Sequence, residues 1–142
     1  MKTEPAIEPL EDALMAASTG LKSVDSVAGY LGTDGAPGAS PSAVVFYAGA
    51  DYADRATTTE RKHGRGRFLV LLAFKQAGKD GGKALSKLQP VRNAVIGALD
   101  GWKHPDCRDA LELKRSRLLL LDRKTQTLWW ELSFTANHYL ME

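Results

Sequence analysis

The sequence predicts an α+β domain: a mainly antiparallel sheet of four to five strands with two helices packed on one face. Two segments place apolar residues at three-and-four spacing, and the clearest strand patterns come in pairs joined by polar stretches. Read in order the elements are α-β-β-β-α-β-β, which favours locally joined hairpins over the repeated βαβ units of a parallel sheet.

The first helix is expected from about Pro9 to Thr19. Pro9 suits an early helical position, Glu11 and Asp12 favour the positive end of the dipole, and Gly20 can take a left-handed stop. Leu10, Leu14, Ala17 and Leu21 form its apolar stripe. Ser23 to Tyr30 alternates weakly and reads as a short strand, and Gly32 to Ser42, rich in glycine, proline and serine, reads as a loop. Ala43 to Ala48 is a strand. Gly49 to Gly66 has no periodicity and reads as an overlong polar loop, leading to a strong strand from Arg67 to Lys75.

After the break at Gly78 to Gly82 comes the best helix, with Leu85, Leu88, Val91, Val95, Ile96, Leu99 and Trp102 on one stripe. Pro90 within it predicts a kink or restart, and Gly101 ends it. A loop from Lys103 to Asp109 precedes two strands, Leu111 to Asp122 and Thr127 to Leu140, joined by a polar turn. In the last strand Leu128, Trp130, Leu132, Phe134 and Ala136 share one face, and Trp129, Glu131, Ser133 and Thr135 the other. Trp130, Leu132, Phe134, Leu88, Val95 and Leu99 should therefore meet in one core.

The length of 142 residues suits a single domain spanning the whole chain. A net charge of +2 is too small to argue, alone, for nucleic acid or an acidic membrane as partner. One cysteine excludes an internal disulfide framework and suits a reducing compartment. Acidic, proline-containing residues at the start lack the basic-then-apolar pattern of a signal peptide, and no apolar run is long enough for a transmembrane helix.

Three segments invite a chemical reading. Gly78 to Ala84 resembles a phosphate loop, with Leu118 to Asp122 in the role of a metal-holding strand. Its spacing is one residue short, and Ala84 stands where a metal-binding hydroxyl is needed, so a helix-initiating loop and a buried strand before a turn are expected instead. Cys107 near His104 raises a zinc or thiol-nucleophile question, but His63 and His138 stand in unrelated segments and no oriented base is visible. No catalytic residue, metal ligand or cofactor site is assigned. The cluster Arg61, Lys62, Arg65, Arg67 lacks stacking aromatics and follows acidic residues, so a partner-facing loop fits better than a phosphate site.

The order of pieces is itself informative. A proline- and glycine-rich loop enters Pro41-Ser-Ala-Val-Val-Phe-Tyr47, and a polar loop leads to Gly66-Arg-Phe-Leu-Val-Leu-Leu-Ala-Phe74. A helix closes on Val91-Arg-Asn-Ala-Val-Ile-Gly-Ala-Leu-Asp-Gly-Trp102, and the last strand reads Leu128-Trp-Trp-Glu-Leu-Ser-Phe134. This arrangement resembles the Mu-like phage tail-terminator family, also seen in prophages and contractile tail-like particles, from about Ile7 to Tyr139. The match is good at Leu121, Asp122, Trp129, Trp130 and Gly101-Trp102, all of them fold-building residues.

The resemblance implies a structural virion protein and not an enzyme. It implies a hexameric ring on the head-proximal end of the tail tube, which ends tube growth and presents a head-joining surface. The partners implied are other copies of the chain, the tail tube protein and a head-completion or neck protein, with passing contact to DNA in the ring lumen and no membrane. Assembly would take place in the host cytoplasm, ending in the virion tail. Another neck or tail-completion connector is the second reading, and a P-loop-like nucleotide enzyme the third.

The loop from Asp51 to Arg65 departs from the family pattern, so its role comes from composition alone. Asp51, Asp54, Arg55 and Glu60 precede Arg61, Lys62, Arg65 and Arg67, which suits head-to-tail contact between copies by a loop mobile in the free subunit. Trp129 on the second sheet face is the expected apolar anchor of the subunit or tube interface.

Overall fold

A computed structural model describes residues 5–26, 40–53, 62–75 and 81–140, without the side chains of 81–84 and 140. The elements are α1 (Glu8–Ala16), β1 (Ser23–Ser26), β2 (Ser42–Tyr52), β3 (Lys62–Lys75), α2 (Gly81–Leu99), β4 (Glu112–Asp122) and β5 (Thr127–Leu140). The five strands form one sheet in the order β1-β2-β3-β5-β4. All neighbours are antiparallel except β1 and β2, which run parallel.

The α+β class and element order match the expectation, and two features sharpen it. The parallel β1–β2 pair cannot be a hairpin, so the sheet is mixed. The C-terminal hairpin inserts its last strand beside β3, which makes β5 central and leaves β4 at an edge. With helices on one face only, even this central antiparallel strand alternates, its Leu128, Leu132, Phe134 and Ala136 facing the helix-side core.

Both helices bury their stripes on one face. Leu10 and Leu14 of α1 and Leu88, Val95 and Leu99 of α2 join Ala43, Val45, Phe68, Val70, Leu72, Leu128, Leu132 and Phe134 in the main core. Trp130 packs against this core, partly buried, so the face assignment of β5 holds. Gly101, at φ 89°, ends α2 in a conformation that side chains other than glycine resist, and its N–H donates to the Leu111 carbonyl to start the return. Pro90 is accommodated within α2.

The overlong loop expected from Gly49 to Gly66 is replaced at both ends by strand. β2 continues to Tyr52 past a bulge between Tyr47 and Gly49, and β3 starts at Lys62. In Lys62-His-Gly-Arg-Gly-Arg67 the glycines are buried and His63, Arg65 and Arg67 are exposed, a period-two pattern in which glycine takes the inward position. Tyr47, Tyr52 and His138 fill the space that inward side chains would occupy. The expected mobility of this stretch therefore does not apply to 49–52 or 62–66, and residues 54–61 lie outside the described residues.

Candidate functional site

The segments that invited chemistry are used structurally. β3 has antiparallel neighbours on both sides, unlike the parallel strand that feeds a phosphate loop. Residues 76–80 lie outside the described residues, and Gly81 to Ala84 begin α2.

His104 is fully buried. Its Nδ1 accepts from the Asp106 N–H at 2.9 Å, which places the ring proton on Nε2, and Nε2 donates to the Ala6 carbonyl at 2.6 Å. Asp106 accepts in turn from the Ala6 N–H at 3.2 Å, so the loop after α2 clamps the segment before α1. Phe68 stacks on the imidazole with ring centroids 5.5 Å apart. Burial, with Asp109 and Asp106 nearby, pushes the Cys107 thiol up to about 12, which removes the thiolate a nucleophile needs. The other two histidines are far apart in role: His138 is buried and shares a 2.9 Å hydrogen bond with the Tyr47 hydroxyl, while His63 is exposed and accepts from Arg108 at 3.0 Å.

Of the residues expected at an interface, Asp54, Arg55, Glu60 and Arg61 lie outside the described residues. Asp51 and Arg65 face each other across the β2–β3 ladder of one chain. Arg65 also donates to the Thr135 hydroxyl at 3.3 Å, and Arg67 is exposed on the same face opposite Thr135 of β5. Lys62 is half-buried at the start of β3. Trp129 lies on the face away from the helices, as expected, but only 6% of it is accessible. It packs with Val44, Ala73 and Leu71 in a second small cluster. Beside it Arg117 donates to the Glu131 carboxylate at 2.8 Å.

The apolar surface that is exposed lies one strand further out. Leu118, Leu119, Leu120 and Leu121 are between 43% and 53% accessible on edge strand β4. The buried strand expected here is corrected: β4 has one partner strand, and a register shift between Leu118 and Leu120 splits the leucines between both faces. Glu112 to Lys124 carries Lys114, Arg115, Arg117, Arg123 and Lys124 against Glu112 and Asp122. The signal in the sequence was this run of leucines bracketed by cations without alternation, unlike a core strand between apolar neighbours.

The other edge of the sheet has the opposite charge. Glu8, Glu11 and Asp12 lie on α1 beside Asp25 of β1. Partial burial, then repulsion from Glu8, Asp12 and Asp25, raises the Glu11 carboxyl above its ordinary value. Met15, 60% accessible, is the large apolar residue exposed on the same helix. An open cleft of about 540 Å³ lies between α2 and the ends of β2 and β3, with Phe74 and Val91 in its wall and Lys22, Lys75 and Lys87 around it. No helix among the described residues is long and apolar enough to cross a membrane.

Comparison with known proteins agrees with a structural reading. The family described as phage tail terminator protein matches residues 1–142. A chain in the structure titled "Virion of native gene transfer agent (GTA) particle" has the same fold, with a TM-score of 0.56, 20% identity and 90% of each chain covered. Curated proteins show no match to this chain.

Proposed function

This chain belongs to the phage tail terminator family, and from that premise we propose that its copies form a hexameric ring that caps the head-proximal end of a tail tube. The ring ends tube growth and offers a surface for head-completion or neck proteins, with DNA passing its lumen. The family match over the whole chain carries this reading. The fold supports it by leaving two sheet edges of opposite charge for contacts that close into a ring. The finer resemblance to Mu-like contractile tails rests on the segments around Pro41, Gly66, Val91 and Leu128. It would place assembly in the host cytoplasm and the finished ring in the virion tail.

The work of such a subunit is geometric and not catalytic. Its unreactive thiol and separated histidines fit that role. Arg65 and Arg67, with Asp51 on the same sheet face and Lys62 at the start of β3, are the surface proposed to meet the tube or a neighbour, and Trp129 lies further along that face. Polymerising tube protein with and without this chain tests the reading. Tubes should stop growing at one end when it is added, and unchanged length distributions at saturating subunit would sink it. A neck connector, the second reading, would bind finished tubes without limiting their length.

A further inference from the structure

We infer that copies join edge to edge, the leucine-bearing β4 edge of one seated against the acidic α1–β1 edge of the next. The inference rests on the ring reading and names the contact that would build it. Four leucines near half exposure, on a strand whose outer backbone edge has no partner strand among the described residues, form an adhesive surface that soluble proteins avoid leaving uncovered.

Charge selects the occupant. Lys114 is held by Glu112 at 3.0 Å and Arg117 by Glu131 at 2.8 Å, while Arg115, Arg123 and Lys124 are exposed without an ion pair among the described residues. Two β4 edges meeting each other would bring these cations together, a like-charge contact that costs affinity. The opposite edge of the same molecule carries Glu8, Glu11, Asp12 and Asp25, likewise without an ion pair among the described residues, with Met15 exposed among them. A second copy therefore brings both the carboxylates and an apolar side chain.

Direction agrees. β1 runs parallel to β2, and each further neighbour reverses, so β4 runs opposite to β1 within one subunit. Copies placed side by side around a ring in the same orientation present β4 to β1 in antiparallel sense, without any inversion. Such a contact is heterologous, the kind that closes rings.

The test uses two variants of the full chain, each with one edge disabled, studied by sedimentation velocity after circular dichroism confirms the fold. L118E/L120E disables the β4 edge, with L118S/L120S as a milder substitute should the first misfold. E8K/E11K disables the acidic edge. Each alone should associate at least about thirtyfold more weakly than the parent, as expected for loss of an interface hot spot. Mixed, they should form a dimer and stop there, because each retains the edge the other lacks.

Parent-like assembly by either variant overturns the inference. So does a mixture that stays monomeric, which would show that the two retained edges do not bind each other. A parent chain that is monomeric at high micromolar concentration also overturns it, while the tail-end reading stands or falls separately on tube capping.

Discussion

At Gly64 and Gly66 the sheet makes room for aromatic rings. A Cβ on Gly66 would lie 2.8 Å from Tyr47 Cε1 and 3.2 Å from His138 Cδ2, and one on Gly64 would lie 2.5 Å from Tyr52 Cε1. Tyr47 cannot easily withdraw, because it shares a hydrogen bond with His138 and packs edge-on against Phe68. Gly66→Ala should therefore cost about 1–3 kcal/mol in urea denaturation, as for other overpacked sites. A neutral result would show that Tyr47 has space to move. Cys107 gives a second prediction at this scale. Its thiol titrates at about 12 in the fold against 9.0 ordinarily, so the group favours folding fully below pH 9.0. That contribution is lost as pH rises towards about 12, where the folded thiol finally ionises. Alkylation at pH 8 should be slow in the native protein and fast in urea. Equal rates would contradict its burial.

The elements differ in how openly the sequence declares them. α1, α2 and β5 were legible because each buries one regular face: Leu10 and Leu14, then Leu88, Val95 and Leu99, then alternate residues from Leu128 to Ala136. The start of β3 was not, because glycine at an inward position carries no apolar signal while its rings come from Tyr47, Tyr52 and His138 elsewhere in the chain. β4 was legible as a strand and misread in burial, since a leucine run does not say whether its strand lies at the edge or in the middle. The loop after α2 reads in the sequence as a mere connection, although His104 and Asp106 tie it to Ala6 by two hydrogen bonds, with a third inside the loop holding the His104 ring. Nothing local in His-Pro-Asp-Cys identifies a partner about a hundred residues away. His104→Ala should cost about 2–4 kcal/mol, combining a lost stacked ring with an orphaned carbonyl. Amide exchange around α1 should rise with it. Unchanged protection there would mean that α1 is held by Leu10 and Leu14 alone.

Over the whole molecule, charge is laid out from one sheet edge to the other, and this arrangement sets stability against association. Partial burial, and after it repulsion from Glu8, Asp12 and Asp25, raises the Glu11 carboxyl pKa in the isolated subunit. A group raised in the folded state favours folding at low pH and loses that contribution as pH rises through its folded value. At neutral pH, then, the ionised Glu11 is held at the expense of the free subunit's stability. Cations arriving from a neighbour's β4 edge would reverse the sign of its surroundings and draw its pKa down. Glu11→Gln should accordingly leave thermal stability of the free subunit unchanged or slightly higher while weakening association. Parent association should fall both with added salt, which screens the facing charges, and with acidification through the carboxylate range. The pairing of these two effects is what identifies an assembly surface, since an ordinary surface carboxylate would move neither and a structural one would lower both. Thermal melts below the association concentration, set beside sedimentation at rising salt, measure the two separately. If Glu11→Gln assembles as the parent does at low salt, the acidic edge takes no part in the contact.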